Sequence, residues 1–397
     1  MTPTSSSEIL IVGGGPFGVN TAIELRSRGH AVTLLEPGPL PHPNAASTDI
    51  SKVIRMDYGS DEFYMQMMEE ALAQWRVWNT EFREPLFHET GVLYFTLDGM
   101  QPGDFEYESY QLLLKRRHPV ERLDSSIISK LFPAWNSSLY PDGYFNSQGG
   151  WSPSGRVVTV LAERARAAGV TIVEGASFAE LIEEGGSVRG VRTADGAEFR
   201  SDAVVFCAGS WTPVLLPWLG DVMWPTAQAV FHFQVENVKR YQPPQFPVWT
   251  ADVGKTGWYG FPAQDNGTLK VANHGVGWRR DPRGSREIPA EAEPRFRQFL
   301  QRSLPSLSNA PKIGERMCFY CDTFDGDFWI DKDPERPGLL VSAGGSGHAF
   351  KFTPLIGKIT ADVLEGKPNA YAHRFKWRAR GDLHAEDARA VDESARK

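Results

Sequence analysis

Gly13, Gly15 and Gly18 stand at G-x-G-x-x-G spacing, and Glu36 follows at the end of the next apolar run. This pattern cradles a dinucleotide pyrophosphate. Gly13 permits a tight turn, Gly15 lets the backbone approach the phosphates, and Gly18 lets a helix pack closely on a strand. The helix N-terminus adds unpaired N–H groups and a positive dipole end. Glu36 is placed to accept hydrogen bonds from a ribose 2′-OH, and its charge disfavours the 2′-phosphate of NADP. The motif does not separate FAD from NAD. Cys318 and Cys321 have C-x-x-C spacing, but zinc needs two further ligands and no second cysteine pair exists. A redox pair belongs at the start of a helix, whereas Phe319-Tyr320 lies inside a strand-like run. Cys207, in an apolar strand, is read as core.

The glycines work only between a strand and a helix. Residues 9–12 form a continuous apolar run that stops at glycine, as a buried parallel strand does. Phe17, Ala22, Ile23 and Leu25 then follow helical period until Arg28-Gly29 ends it. Residues 31–35 are a second strand, closed by Glu36. The βαβ unit gives the motif its context; a glycine-rich turn in an ordinary sheet would leave Glu36 unexplained.

At 397 residues the chain has room for two domains, or for one α/β domain with a large insertion. A hydrophobic fraction of 41% and a charged fraction of 23% are those of a globular protein. A net charge of −7 argues against a nucleic-acid partner and gives no reason to expect an anionic membrane. No apolar run approaches the roughly 20 residues of a membrane span. Residues 1–7 are polar and residues 9–12 too few for a signal-peptide core, so a cytoplasmic location is expected.

Along the chain, residues 61–82 are helical, with Phe63, Met65, Met68, Leu72, Trp75 and Trp78 on an apolar side read as core. Residues 91–97 read as a strand, 100–110 as a loop, and 110–135 as short helices and turns. Nucleotide-binding character resumes at Gly149, with a helix over 156–168 and strands at 170–174 and 202–209. Residues 222–235 alternate as an antiparallel strand does. Residues 258–262 and 268–274 read as paired strands about an Asp265-Asn266-Gly267 turn. Residues 291–304 are helical, 316–330 and 339–342 are strands, and 356–364 is the last clear helix.

Four further blocks carry a family resemblance. Residues 51–59, SKVIRMDYG, are similar to the segment after the second strand in monomeric sarcosine oxidase and its relatives. Residues 269–274, LKVANH, are similar to that family's mid-chain strand bearing a lysine and then a histidine. Residues 316–320, followed by 327–331, resemble the strand whose cysteine bonds covalently to the flavin. Residues 345–352, GSGHAFKF, resemble the signature SGHGFKF, with Ala349 in place of a glycine. With the opening βαβ unit, these blocks span residues 9 to 364 in the family's order. The chain is similar to the sarcosine oxidase and fructosyl amino acid oxidase family of D-amino acid oxidase-like FAD oxidoreductases.

The resemblance implies an α/β fold: a Rossmann-like FAD domain of glutathione-reductase type, and an α+β substrate domain with a mixed, largely antiparallel sheet. The expected FAD domain comprises residues 8–85, 149–215 and 315–375; the substrate domain, 86–148 and 216–314; a tail, 376–397. Oxidising an amino acid's C–N bond needs the amine neutral and its carboxylate held by fixed cations, for which Arg55 and Lys351 are the natural pair. Tyr58 and Tyr259 join them as expected substrate contacts. Lys52, Lys270 and His274 are the expected catalytic residues, the lysines as positive charges beside the flavin that favour oxygen as acceptor. The expected FAD contacts are Gly13, Gly15, Phe17, Gly18, Glu36, Ser51, Lys52, Val173, Ala208, Gly209, Trp211, Cys318, Gly345, Gly347, His348, Phe350 and Lys351. Cys318 would carry the flavin as a thioether, with Cys321 as runner-up and noncovalent binding as the remaining alternative.

Two branches are visible at once. Residues 353–358, 365–367 and 376–378 look like fructosyl amino acid oxidases, whereas Arg55 and His348 look like the sarcosine, pipecolate and saccharopine oxidases. The N-substituent is therefore open: methyl, sugar-derived, dicarboxylic or a ring. Arg378 is either a further carboxylate contact or a solvated charge. The expected reaction passes a hydride to the flavin, hydrolyses the imine and reduces O₂ to H₂O₂, in a monomer whose partners are a small amino acid and O₂, without nucleic acid or membrane. The alternatives are a pipecolate, saccharopine or primary amino acid oxidase on the same fold and, more remotely, a non-catalytic dinucleotide-binding protein.

Overall fold

The computed structural model describes residues 6–390. Among them, a six-stranded sheet runs in the order Trp329–Lys332, Leu339–Ala343, Ala203–Phe206, Glu8–Val12, Ala31–Glu36, Thr171–Glu174. All neighbours are parallel except the Trp329–Lys332 edge. The first strand, Glu8–Val12, is buried from Ile9 onward because it is covered on both faces. Its continuation turns at Gly13, whose φ of +104° only glycine adopts readily. Pro16 then opens the helix Pro16–Ser27, where a missing N–H costs nothing.

Gly18 lets this helix lie against its strand, as the motif requires. A Cβ there would collide with the Gly13 carbonyl oxygen and stand 3.3 Å from Ile11 Cγ2. The helix Thr353–Glu365 packs on the same helix, and the Asn20 side chain donates to the Thr353 carbonyl.

A second, nine-stranded sheet carries the other half of the molecule, with eight strands in one row and Lys312–Thr323 paired to Met223–Gln234. It is antiparallel except where Val248–Ala251 runs parallel to Val92–Thr96. Phe95, Phe231, Phe246, Trp249 and Phe296 fill its own core. A three-stranded antiparallel meander, residues 178–200, and the short pair Lys52–Ile54 with Gly150–Ser152 complete the strands.

Three readings of the sequence change. Residues 100–110 are not all loop: a helix spans Phe105–Lys115, burying Phe105, Ser109, Leu112 and Leu113 at helical spacing. Glutamates interleaved with aromatics at 105–110 had masked that period. Residues 110–135 include a strand, Val120–Asp124. The run 316–330 is two strands in different sheets, separated by a turn at Gly326 (φ +78°). The domain boundary expected at 315 thus falls inside the strand Lys312–Thr323, which pairs along its length with Met223–Gln234. No helix among the described residues is long and apolar enough to cross a membrane.

The helix Glu62–Glu81 starts where the Asp61 side chain accepts from the Tyr64 N–H at 3.1 Å. Its Met65, Met68, Leu72, Trp75 and Trp78 are buried as expected, while Phe63 is partly buried. Trp75 does more than fill the core, because its Nε1–H donates to the Lys351 carbonyl at 2.7 Å.

Gly18→Ala is expected to lower stability by about 1–3 kcal/mol, the usual cost of forcing a methyl into a filled site. A urea midpoint equal to wild type, with unchanged slope, would refute this account of the turn.

Candidate active site

A cavity of about 620 Å³ joins the two sheets. The glycine turn and Glu36 line it, and so do Arg55, Tyr259, His274 and Lys351. Its chemistry near the turn suits a dinucleotide. No atom lies within 4 Å of where a Gly15 Cβ would stand, so the space above the turn is open. Glu36 is buried, accepts the Gly14 N–H at 2.6 Å, and is pushed up to about 7 by that burial. The hydroxyls of Ser47, Thr48 and Ser51 are buried without a hydrogen-bond partner, and Ser47 lines the cavity. Buried polar groups of this kind take a partner from a ligand or from ordered water, and Ser47 is the one placed to meet a ligand in the cavity.

Most of the expected cofactor contacts lie on this wall: Gly13, Phe17, Lys52, Ala208, Gly209, Trp211, Gly345, Gly347, His348 and Phe350, with Gly15, Glu36 and Lys351 already placed. Four expected contacts do not. Gly18 is consumed by helix packing. Val173 packs with the apolar cluster around Leu35 and Phe206, and Ala176, Ser177 and Phe178 line the cavity instead. Ser51 sits behind the wall, its carbonyl taken by Lys270. Cys318 is also behind it, packed with Tyr320 against Ala46 and Tyr259, all three of which do line the cavity. Its Sγ is 3.8 Å from Lys52 Nζ. Cys321 lines the cavity, but its thiol faces Met223 Sδ at 3.9 Å and is pushed up to about 12 by burial.

The substrate-facing residues form one network. Lys351 Nζ donates to the Tyr58 hydroxyl at 2.8 Å and to the His348 carbonyl at 2.9 Å. His348 Nε2–H donates to the Gly326 carbonyl at 3.0 Å, which leaves Nδ1 to accept the Tyr58 O–H at 3.0 Å. Burial lowers His348 to about 4, so the ring is neutral. Burial, together with the nearby Arg55 charge, holds Lys351 well below the usual lysine range. Arg55 donates to the Asp57 carbonyl and lies over Tyr58, its guanidinium carbon 4.9 Å from the ring centre.

Arg55 Nη2 also meets a residue that sequence reasoning missed. Glu386, in the C-terminal segment, accepts from it at 3.1 and 3.3 Å and from His274 Nε2–H at 2.9 Å. Burial opposes ionisation of Glu386, but His348, Arg55, His274 and Lys351 around it outweigh that and hold the carboxyl well below its ordinary range. No periodicity marks this tail in the sequence, though Ala388 and Ala390 are buried in the fold.

The two expected flavin-side lysines separate. Lys52 reaches the cavity; Lys270 does not, and its Nζ donates to Asp49 Oδ2 and to the Ser51 carbonyl, each at 2.6 Å. A bare buried ammonium is costly, and Asp49 compensates it. Burial lowers Lys270 to about 8 against the pull of Asp49. Burial raises Asp49, yet Lys270 and Lys52 outweigh it and leave the carboxyl well below its usual value. Arg378 is neither a substrate contact nor freely solvated: it pairs with both Asp325 oxygens at 2.5 and 2.6 Å and lies over Trp329.

The family described as FAD dependent oxidoreductase (DAO) matches residues 8–363, and the chain belongs to that family. Monomeric sarcosine oxidase of Bacillus sp. (strain B-0618) is 27% identical over 369 residues, covering 91% of this chain and 93% of its own. N-methyl-L-tryptophan oxidase of Salmonella heidelberg (strain SL476) is 27% identical over 381 residues, covering 92% and 96%. Among solved structures, fructosamine oxidase (Amadoriase II) of Aspergillus fumigatus in complex with FSA superposes with a TM-score of 0.85 at 28% identity, covering 98% of this chain and 95% of that one.

Lys270→Met should leave the buried Asp49 with the more distant Lys52 at 3.5 Å and His232 at 3.8 Å, and cost about 3–5 kcal/mol, as breaking a buried pair does. Adding Asp49→Asn should restore most of it. Equal denaturant midpoints for wild type and the single variant would show that the pair is not what Lys270 is for.

Proposed function

We propose that this chain is an oxidase of N-substituted amino acids that uses FAD and returns the electrons to O₂. The observation that carries the reading is the convergence of Arg55 and Lys351: the guanidinium carbon and the lysine Nζ each lie 4.9 Å from the centre of the Tyr58 ring. A guanidinium and a buried lysine, whose protonated form an arriving carboxylate would favour, both on the cavity wall, suit a carboxylate, which distinguishes an amino acid from a simple amine. FAD, held by the glycine turn, Glu36 and the wall of residues 208–211 and 345–351, supplies the two-electron acceptor that side chains lack.

The chain's own residues bind, orient and set charge. Arg55 is pre-oriented by the Asp57 carbonyl and the Tyr58 ring, so no rotamer search is needed at binding. Lys351 is tethered at Nζ by Tyr58 and at its carbonyl by Trp75. Burial and the two cations penalise a further positive charge, which holds the substrate amine neutral, the form that can be oxidised. His274 gives Nε2–H to Glu386, so its Nδ1 accepts from the Tyr320 hydroxyl at 3.3 Å. His274 lines the cavity as a neutral group, lowered by burial. No strong base is required. Lys52 is the cation on the cavity wall that would favour oxygen as acceptor; Lys270 acts behind it, through Asp49.

Cys318 is the proposed thioether attachment. Its packing against cavity-lining Ala46, Tyr259 and Tyr320, with a lysine ammonium beside the sulfur, supports it over Cys321, whose thiol faces Met223. Relatives named for sarcosine and N-methyl-L-tryptophan point to N-methyl substrates, and structural neighbours named for fructosamine point to sugar-derived ones.

Sarcosine, N-methyl-L-tryptophan, pipecolate, saccharopine and a fructosyl amino acid, added anaerobically in turn, should include one that bleaches the flavin absorbance; bleaching by none would refute the reading. Lys351→Met should raise KM for that compound on the order of tenfold or more, since a hydrogen bond to a charged group is worth about 1.5–3 kcal/mol. After acid precipitation the yellow colour should stay with wild type and Cys321→Ser and leave Cys318→Ser. Colour released from wild type would remove the covalent link and leave the oxidase.

A further inference from the structure

The C-terminal segment, residues 384–390, is strapped across the cavity. Its anchors are specific: the His384 N–H donates to the Phe324 carbonyl at 2.7 Å, and the Ala390 N–H to the His274 carbonyl at 3.1 Å. Arg389 forms a buried pair with Asp322 at 2.7 Å, donates Nε–H to the Gly275 carbonyl at 3.1 Å, and lies over Tyr320. Between these anchors Glu386 and Ala388 line the cavity. The segment therefore belongs to the wall.

What Glu386 touches matters more than where it is tied. The Arg55 guanidinium has few free directions: Nη1 is spent on the Asp57 carbonyl, and the plane lies against Tyr58 and Phe105. The remaining edge, Nη2, is taken by both oxygens of Glu386, with side-chain exposure of 6% on each partner. That edge is the one a substrate carboxylate needs. Arg55 keeps Nε–H and a second Nη1–H, but either bidentate approach to a guanidinium needs Nη2, and Nη2 is engaged by Glu386; Lys351, when protonated, has one N–H beyond its bonds to Tyr58 and His348.

We infer that Glu386 is a specificity-determining residue: a resident carboxylate that competes with the substrate's own for Arg55. The inference rests on the reading of Arg55 as the carboxylate site. Because Glu386 is tethered on both sides, it competes at a high effective concentration and no solvent anion matches it. A ligand displaces it only by offering a carboxylate to Arg55 and Lys351 together, so acids that reach one cation alone are rejected. Displacement need not unfold the strap. The bond from His274 Nε2–H to Oε1 and the anchors at 384 and 389–390 can persist while the carboxylate turns from Arg55. The site is thus tuned against weak carboxylates at some cost in affinity for the right one.

The test uses holoenzyme and propionate, which carries a carboxylate but no oxidisable amine, with binding read by titration calorimetry. Glu386→Gln should bind propionate about tenfold tighter than wild type, the scale set by one charge-assisted hydrogen bond. Propylamine, which lacks the carboxylate, should gain nothing. For the substrate found by flavin bleaching, KM should fall in Glu386→Gln. Glu386→Asp, charged but shorter, should lie between and serves as the check should the glutamine variant fold poorly. Equal or weaker propionate binding in Glu386→Gln would overturn the inference, and a raised KM would do so by assigning Glu386 to the substrate amine. Propionate binding unaffected by Arg55→Gln would instead sink the carboxylate-site reading on which the inference stands.

Discussion

A buried guanidinium is the constraint around which this molecule is arranged. Arg55 is 5% exposed, and an unpaired charge at that depth would cost far more than a folded protein has to spare. Its compensation comes from every part of the chain. The Asp57 carbonyl comes from the same loop, and Glu386 from the C-terminal strap. The Asp57 side chain in turn accepts from Tyr144 at 3.0 Å and from Asn146 at 3.2 Å, both on the strand Asp142–Asn146 of the larger sheet. The loop that presents Arg55 to the cavity is thereby fastened to the nine-stranded sheet. Arg55, the proposed carboxylate site, is thus fixed from the nine-stranded sheet through its own loop and from the strap through Glu386.

How much of this the sequence disclosed follows from the range of the forces involved. The dinucleotide turn was legible because its requirements are local: a φ of +104° at Gly13, contact at Gly18 and an acid closing the second strand all lie within 36 residues. The candidate site was legible where family blocks keep their order, which brought out Arg55, His274, His348 and Lys351. What stayed hidden were partners. Asp49 pairs with Lys270 across 221 positions and Glu386 with Arg55 across 331. Nothing in the local pattern of either acid shows which cation it will neutralise. The helix Phe105–Lys115 was lost for a different reason, because charged residues between its aromatics concealed a 3.6 period.

Pairing also revises what a conspicuous lysine means. Lys270 and Lys52 look equivalent in the sequence, two cations bound for one flavin face. In the fold they share Asp49, at 2.6 and 3.5 Å, and only Lys52 reaches the cavity. Lys270 therefore acts on the site at one remove, by holding Asp49 and the Ser51 carbonyl and so fixing the strand Lys52–Ile54 that leads into Arg55. The charge at this edge of the cavity is the sum over three groups, Lys52, Lys270 and Asp49, rather than the charge of one.

The substrate's N-substituent is decided elsewhere than its carboxylate. The cations, Tyr58 and His348 are tied to one another by hydrogen bonds and packed against Trp75 and Phe352, which leaves them no latitude to adapt to different amines. Latitude lies on the other wall, where Tyr259, Tyr320 and the strap residues Glu386 and Ala388 face the cavity. Relatives named for a methyl amine and for a sugar amine can share the first wall and differ in the second. A strap whose own carboxylate sits on Arg55 adds a charge test to the shape test, because the N-substituent must fit while the carboxylate end is being contested. Selectivity then comes as much from the anion the protein supplies as from the cations it was expected to supply.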